Sequence, residues 1–460
     1  MCCRRWVLIV AVLSLTNTAV HATDGDFDTS WGIGGKLQFD VTSPGNNEGK
    51  TLLIQPDGKL LMAGTCSYSA ETSFCASRQL PNGSFDTTFG PSNHPGRVII
   101  RENPMADIAV TLAASALSPD GGSVYAGDVV ASSPSRTGFV VKLNAVGDYV
   151  ARGFVGSIDR NGAYAVSGIA VQPDGKVVVA GGVFTPSDGT SYFSVQRLLA
   201  DLSDLDHSFG DDGTKLIVFP GEVDPHPKAL ALQPDGKIVV VGIVDLKVGI
   251  VRLLANGQLD DDPLLGFGDG GRVTYDWGVP AGANASGANA VAIERDGSLL
   301  IAGYALRAST GNYDFFVNRL TPRGRQDPVF NLSLWGLPKP AYIDFNFGDS
   351  NSNFDNALAL AVQPDGKILV SGLALQIGTV QYFAVARLTQ YGSTDFSFGS
   401  SGQIRAQYNP GMVRNDSASA IAVGNGGIMV AGSSQGASGP NYRFGIAKLK
   451  LDLIFSDGLE

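Results

Sequence analysis

Seven copies of one short pattern recur along this chain: an apolar run, then Pro-Asp-Gly or a relative, then a second apolar run ending in glycine. They centre on Gln55-Pro56-Asp57-Gly58-Lys59, Ser118-Pro119-Asp120-Gly121-Gly122, Gln172-Pro173-Asp174-Gly175-Lys176, Gln233-Pro234-Asp235-Gly236-Lys237, Glu294-Arg295-Asp296-Gly297-Ser298, Gln363-Pro364-Asp365-Gly366-Lys367 and the degenerate Gly424-Asn425-Gly426-Gly427. Counted from the Asp or Asn of each, the intervals are 63, 54, 61, 61, 69 and 60 residues. A repeat of this length is a supersecondary unit that cannot bury its apolar faces alone, so neighbouring copies must stack and share a core. The repeats leave no stretch of the 460 residues for a second domain.

Each unit spells four short strands. The run before the turn, such as Ala229-Leu230-Ala231-Leu232-Gln233, is read as strand A. Pro pre-sets φ ahead of the turn and Gly accepts positive φ, so Pro-Asp-Gly predicts a tight hairpin. The next run, such as Lys237-Ile238-Val239-Val240-Val241-Gly242, is apolar at consecutive positions, which predicts a strand B buried on both faces. Strand C is an aromatic or aliphatic run closed by Arg-Leu or Lys-Leu, as from Phe193 to Leu198, Phe315 to Leu320 and Phe444 to Leu449. A Gly-x-x-Asp-x-x-Phe-Gly connection, seen at Gly83 to Gly90 and Gly392 to Gly399, leads into a more polar strand D, for example Gly271-Arg272-Val273-Thr274-Tyr275-Asp276. Without any ten-residue helical period, these units predict an all-β radial array of four-stranded antiparallel sheets.

The two ends of the chain complement each other. The seventh unit has strands A, B and C but little sequence left for D. The missing parts stand at the other terminus, where Asp24 to Gly32 copies the connection and Gly35-Lys36-Leu37-Gln38-Phe39-Asp40 copies strand D. The expected fold is therefore a seven-bladed β-propeller whose last blade is closed by the N-terminal strand. Closure leaves no open edge for pairing with other chains, and a monomer is expected.

The paired Pro-Asp-Gly-Lys and Phe-Asp-x-x-Phe-Gly signatures resemble the delta-60 repeat family of exported bacterial proteins, whose members look like β-propellers. The resemblance runs from about Asp24 to Leu449. Two units depart from it: the second has Asn144-Ala145-Val146-Gly147-Asp148-Tyr149 in place of the Phe-Gly connection, and the seventh lacks the Pro and Asp of its turn. The resemblance implies a fold and export, and it brings no reaction or ligand.

Residues 1–22 read as a secretory signal: Arg4 and Arg5, the apolar run Trp6 to Leu15, then Val20-His21-Ala22 with small residues at the cleavage positions. That run is too short to span a bilayer, and Arg4-Arg5-Trp6 is only a weak twin-arginine match. The expected organisation is a signal over 1–22, the propeller over 23–450 and a tail over 451–460, with the mature protein periplasmic, at the cell surface or secreted. Cys2 and Cys3 leave with the signal. Cys66 and Cys75 then flank the first B-to-C loop in an oxidising compartment, where a disulfide is expected and two free buried thiols are the rival reading. Losing Arg4 and Arg5 takes the formal charge from −10 to −12, which disfavours nucleic acid and anionic membrane as partners.

Motifs that elsewhere carry chemistry lack their context here. Gly432-Ser433-Ser434-Gln435-Gly436 matches a nucleophile elbow but is followed by Ala437-Ser438-Gly439-Pro440, which cannot start a helix. Gly266 to Gly271 superficially matches a nucleotide loop yet falls in the repeated C-to-D connection. His94, His207 and His226 lie in three different units without metal-ligand spacing. No cofactor is expected, and calcium is the one metal entertained, at Asp260-Asp261-Asp262 or at Asp201, Asp204 and Asp206. The Asp of the connection (Asp28, Asp86, Asp395, with Asp206 and Asp260 as variants) and the basic residue closing strand C (Arg197, Arg252, Arg319, Arg387, Lys448) recur around the ring, so a turn cap is the simplest reading.

In an up-and-down blade the B-to-C and D-to-A loops emerge on one face, and here they are the variable, polar set. Asn289, Asn356 and Tyr164, where inner strands begin, and Tyr192, Tyr313 and Tyr442, assigned to B-to-C loops, are the candidate binding residues on that face. Their character suits a glycan or protein ligand. The leading reading is a non-catalytic binding or scaffold propeller. A glycan hydrolase or lyase with carboxylates at the channel mouth is the alternative, and a purely structural surface or adhesion module is the third.

Overall fold

Runs of β-branched residues such as Val177–Val179 and Ile238–Val241 pack best on a pleated surface, and they build the middle of each sheet. The computed structural model describes residues 24–451 except 44, 69–70, 101–108, 131–135, 157–162, 223, 279–284, 308–310, 334–336, 346–353, 377–379, 409–414, 425 and 437–440. The expected signal at 1–22, and the expected tail apart from Leu451, lie outside the described residues. Among the described residues there is no helix, and none that could cross a membrane.

The strands follow the order of the units. After β1 (Lys36–Phe39), the first unit gives β2 (Asn47–Ile54), β3 (Leu60–Tyr68), β4 (Glu71–Gln79) and β5 (Arg97–Ile100). The second gives β6 (Ala109–Leu117), β7 (Ser123–Val130), β8 (Arg136–Leu143) and β9 (Tyr149–Val155); the third, β10 (Ala163–Val171), β11 (Val177–Thr185), β12 (Thr190–Leu198) and β13 (Thr214–Ile217). The fourth gives β14 (Pro225–Leu232), β15 (Ile238–Val244), β16 (Lys247–Leu253) and β17 (Arg272–Tyr275); the fifth, β18 (Ser286–Ile293), β19 (Leu299–Arg307), β20 (Asn312–Leu320) and β21 (Ala341–Ile343). The sixth gives β22 (Phe354–Val362), β23 (Ile368–Gln376), β24 (Val380–Leu388) and β25 (Gln403–Ala406), and the last β26 (Asp416–Gly424), β27 (Gly427–Gln435) and β28 (Tyr442–Leu449).

Within each unit the four strands pair antiparallel in chain order. The fifth and sixth units count as one hydrogen-bonded sheet because a parallel bridge links Tyr313 to Phe354. The last sheet runs β1-β28-β27-β26, with Lys36 opposite Ala447 and Phe39 opposite Phe444, so the head of the chain lies in the sheet of its tail. First strands of consecutive sheets touch, β2 with β6, β6 with β10, β10 with β14, β14 with β18, β18 with β22 and β22 with β26, and β26 lies against β2. Apolar clusters fill the spaces between sheets. Trp31, Phe39, Leu52, Met62, Met429 and Phe444 form one of them, joining the first and last sheets.

The Phe-Gly connection explains how neighbouring sheets are held. In each case the Asp Oδ2 accepts from the Arg that closes strand C: Arg78 with Asp86 at 2.9 Å, Arg197 with Asp206 at 2.8 Å, Arg252 with Asp260 at 2.7 Å, Arg319 with Asp327 at 2.6 Å and Arg387 with Asp395 at 2.9 Å. The Asp Oδ1 caps the turn, as Asp86 does for the Thr88 amide and hydroxyl. The guanidinium lies over the Phe of the connection, 4.6 Å from the Phe89 and Phe209 centroids. It also donates to a carbonyl of the next unit, Arg197 Nη1 to Ala255 O at 2.8 Å and Arg319 Nη1 to Gln390 O at 3.0 Å. That Phe in turn presses on the glycine opening the next connection: Phe89 on Gly147, Phe209 on Gly257, Phe267 on Gly324 and Phe330 on Gly392. The second unit lacks the Phe, and there the glycine of the third unit is replaced by Leu202, buried at φ 60°.

Candidate functional site

The candidate binding residues occupy different surroundings from those their sequence positions suggest. Tyr192, Tyr313 and Tyr442 lie within the first residues of strand C, not on loops, because B and C pair almost to their tips, with Thr185 opposite Thr190 and Arg307 opposite Asn312. Tyr192 is tied to Asp188 Oδ2 at 2.5 Å. Tyr442 is half-buried and donates its backbone N–H to Asn46 Oδ1 at 2.7 Å. Asn289 and Asn356 meet across adjacent inner strands, Asn289 Nδ2 donating to Asn356 Oδ1 at 2.6 Å and to Ala357 O at 2.8 Å. Tyr164 is wholly buried, in space that Gly138 and Gly181 leave for its ring, which removes it from any surface a ligand could reach.

One of these residues, Tyr313, belongs to a group that the fifth and sixth units bring together. At the end of β19, Tyr304 stands edge-on to Tyr313 with centroids 5.7 Å apart, and Phe354 at the start of β22 lies 5.3 Å from Tyr313 and 6.2 Å from Tyr304. All three rings are half-buried. Beside them Arg307 lies over the Tyr342 ring at 5.2 Å and reaches Asp314 Oδ2 at 3.4 Å. The ends of strands B and D and the beginnings of C and of the next A supply these side chains, so the group lies on the face where B-to-C and D-to-A connections emerge.

Three carboxylates converge there. Oxygens of Asp314, Asp344 and Asp355 lie within 4.8 Å of one another. Asp314 and Asp355 are 1% and 0% exposed, and Asp344 is half-buried. Asp355 Oδ2 accepts the Phe345 amide at 2.9 Å. Burial pushes Asp314 up to about 7, helped by the Asp344 charge and opposed by Arg307. Burial likewise pushes Asp355 up to about 7, opposed by the Phe345 amide and reinforced by Asp314 and Asp344. Asp344 is raised by burial against the pull of Arg307.

A separate cavity of about 650 Å³ lies where the first strands meet, lined by Thr51, Asp128, Ser167, Lys228, Asn289 and Ser419 among others. Burial lowers the Lys228 ammonium, and the like charge of Lys50 lowers it further. The remaining motif residues are held by turns. Asp260 and Asp206 bind Arg252 and Arg197, Asp201 caps Ser203, and Asp262 accepts the Leu264 and Leu265 amides at 2.8 Å. His207 sits between Asp212 and Asp204, and His226 against Asp224, all exposed. Ser433 is in β27 and donates to Gly49 O at 3.1 Å, so it is not on an elbow.

Four units match a known repeat model. Residues 55–89, 172–209, 233–262 and 363–398 fit the family described as "Domain of unknown function (DUF5122) beta-propeller". A comparison with curated proteins returns no match. Among solved structures, the chain is similar to a protein of unknown function from Dyadobacter fermentans, 10% identical over 91% of this chain and 100% of that one, with a TM-score of 0.42. It is also similar to an α-L-arabinanase of Penicillium chrysogenum complexed with arabinobiose, 12% identical over 93% and 97% of the two chains, TM-score 0.39. A Trypanosoma rangeli sialidase in complex with sialic acid is 9% identical over 90% of this chain and 59% of that one, TM-score 0.44. Likenesses this loose transfer no activity.

Proposed function

We propose that the chain is an exported binding or scaffold propeller, without catalysis of its own, that recognises a glycan or protein partner through the face bearing its B-to-C and D-to-A connections. In this reading the sheets are seven blades of a closed ring, completed by the amino-terminal strand. Support for the ring comes from the cyclic contacts of the first strands and the pairing of β1 with β28. Support for export comes from the disulfide between Cys66 and Cys75, whose Cα atoms are 5.9 Å apart, and from the resemblance to delta-60 repeats.

The observation that carries the recognition claim is the half-buried trio Tyr304, Tyr313 and Phe354 beside Arg307. Aromatic rings held rigidly at a surface present large contact area at low entropic cost and suit the apolar face of a sugar or a peptide side chain. Probing glycan and peptide arrays with the mature protein tests it. Retained ligands that are lost in Tyr313→Ala support the claim, and a blank on both arrays leaves the chain a structural module.

The enzymatic reading has one observation in its favour. A carboxyl kept protonated near neutrality is what an acid catalyst of glycosidic cleavage needs, and Asp314 and Asp355 are pushed to about 7. Both are sealed from solvent, which leaves Asp344 as the carboxylate a substrate could reach. Product release from an array ligand, abolished in Asp344→Asn, would select this reading over binding alone.

A further inference from the structure

We propose that Asp314, Asp344 and Asp355 form a binding site for one hard divalent cation, with calcium the best match. Asp314 is the third residue of β20, Asp344 follows β21 and Asp355 is the second residue of β22, so three strand ends fix the carboxylates on a rigid scaffold. Among the described residues, Oδ1 of each Asp has no hydrogen-bond partner, although Asp314 and Asp355 are almost completely buried. A buried carboxylate oxygen left without a donor is costly, and three carboxylates that each carry one, with a ligand oxygen apiece lying within 4.8 Å of the other two, share one missing positive partner.

The repeat itself identifies that partner's charge. The residue before the first core position of strand C is Asp314 in the fifth unit, Lys247 in the fourth and Arg443 in the seventh. The residue after strand D at the facing position is Asp344, Asp276 and Asp40 respectively. In the seventh unit these positions form an ion pair, Arg443 Nε to Asp40 Oδ1 at 3.4 Å, and in the fourth the Asp276 charge acts on Lys247. The fifth unit puts a third-strand carboxylate where those units put a cation. Arg307 reaches Asp314 Oδ2 at 3.4 Å, and among the described residues it is the cation that acts on both Asp314 and Asp344. An external dication restores the balance, and an all-oxygen, all-carboxylate donor set selects a hard ion such as Ca²⁺ over thiolate- or imidazole-preferring metals.

The test uses the mature protein after chelator treatment, titrated with CaCl₂, MgCl₂ or MnCl₂ by calorimetry and followed by thermal unfolding. The expected result is one ion per chain, a higher unfolding midpoint with the ion, and at least tenfold weaker binding in Asp344→Asn. A second variant, Asp314→Lys, rebuilds the fourth unit's arrangement; it is expected to fold in chelator and to show no midpoint shift on adding the ion. Wild-type protein that neither binds nor shifts with any of the three ions at millimolar concentration would overturn the proposal, since protons then neutralise the cluster. An Asp314→Lys protein that keeps the full shift would overturn it too, because the ion would be bound elsewhere.

Discussion

The ring of Phe398 fills the space that a side chain on Gly25 would need: a Cβ there would lie 2.7 Å from Cδ2 and Cε2 of that ring. Gly25 stands near the amino terminus and Phe398 in the sixth unit, yet their contact repeats the Phe89–Gly147 and Phe209–Gly257 contacts between consecutive units. Asp24 adds to the joint, its carbonyl accepting the Gly399 amide at 2.9 Å and its carboxylate meeting Arg387 at 2.8 Å. The amino-terminal segment thus takes the place that the next connection in sequence holds at the other joints.

Gly25→Ala is expected to cost roughly 2–4 kcal/mol, about 1–2 for an L residue at φ +88° and the rest for the clash with Phe398. Gly34→Ala is the control, with φ +61° and nothing within 4 Å of the added Cβ, and it should cost only about 1–2 kcal/mol. Denaturant unfolding of the two variants checks the difference. Equal losses would mean that the ring-on-glycine contact contributes no stability.

Leu202 gives the reverse case. It holds φ 60° at a position that is glycine in the other units, and it lies over Gly153 of β9, whose added Cβ would meet Leu202 O at 2.8 Å. The second unit's missing Phe leaves room there for the leucine. Leu202→Gly should relieve about 1–2 kcal/mol of backbone strain but open a core cavity worth about 2–5, for a net loss. A more stable variant in chemical denaturation would contradict this account of the second joint.

The Asp–Arg pairs set the acid limit of the fold. Burial works to raise Asp86, yet the Thr88 hydroxyl and amide, then Arg78 and Lys59, hold it at about 2; Asp395 is held at about 2 against burial by Ser397, Arg387 and Lys367. Because these folded-state values lie below the unfolded carboxyl value of about 3.9, the pairs stabilise fully above it, and that contribution is lost as pH falls from about 4 to 2. Thermal unfolding between pH 2 and 6 should show the decline. Arg387→Met, which strands a buried carboxylate, should cost about 3 kcal/mol at pH 7 and flatten the acid limb.

The fold was legible because its signals are local and repeated. Pro-Asp-Gly marks five of the seven A-to-B turns, and the Gln233 N–H closes its turn on Lys237 O at 2.8 Å, as the Gln55 and Gln172 amides do on Lys59 O and Lys176 O. The roles of Asp206 and Arg197 could be anticipated as a turn cap, though the reach of Arg197 to Ala255 in the next unit could not, since it depends on how sheets abut. The candidate site was harder to see. Asp314, Asp344 and Asp355 have no spacing that signals a ligand set, and they meet only because strand ends of two units converge. Aligning the units and noting an acid where Lys247 and Arg443 stand was the available clue. Tyr164 misled for a different reason: its polar tip suggested a surface, whereas Gly138 and Gly181 make room for its ring inside.

Pairing of the amino-terminal strand with the last sheet is tested most directly by a cross-strand disulfide. Lys36 and Ala447 are directly opposed in β1 and β28, so Lys36→Cys with Ala447→Cys should bond within one molecule on mild oxidation. The account predicts a monomer two mass units lighter, with a raised unfolding midpoint, because the bond closes a loop spanning nearly the whole chain. Folded protein that keeps both thiols free, or that links only into dimers, would contradict it.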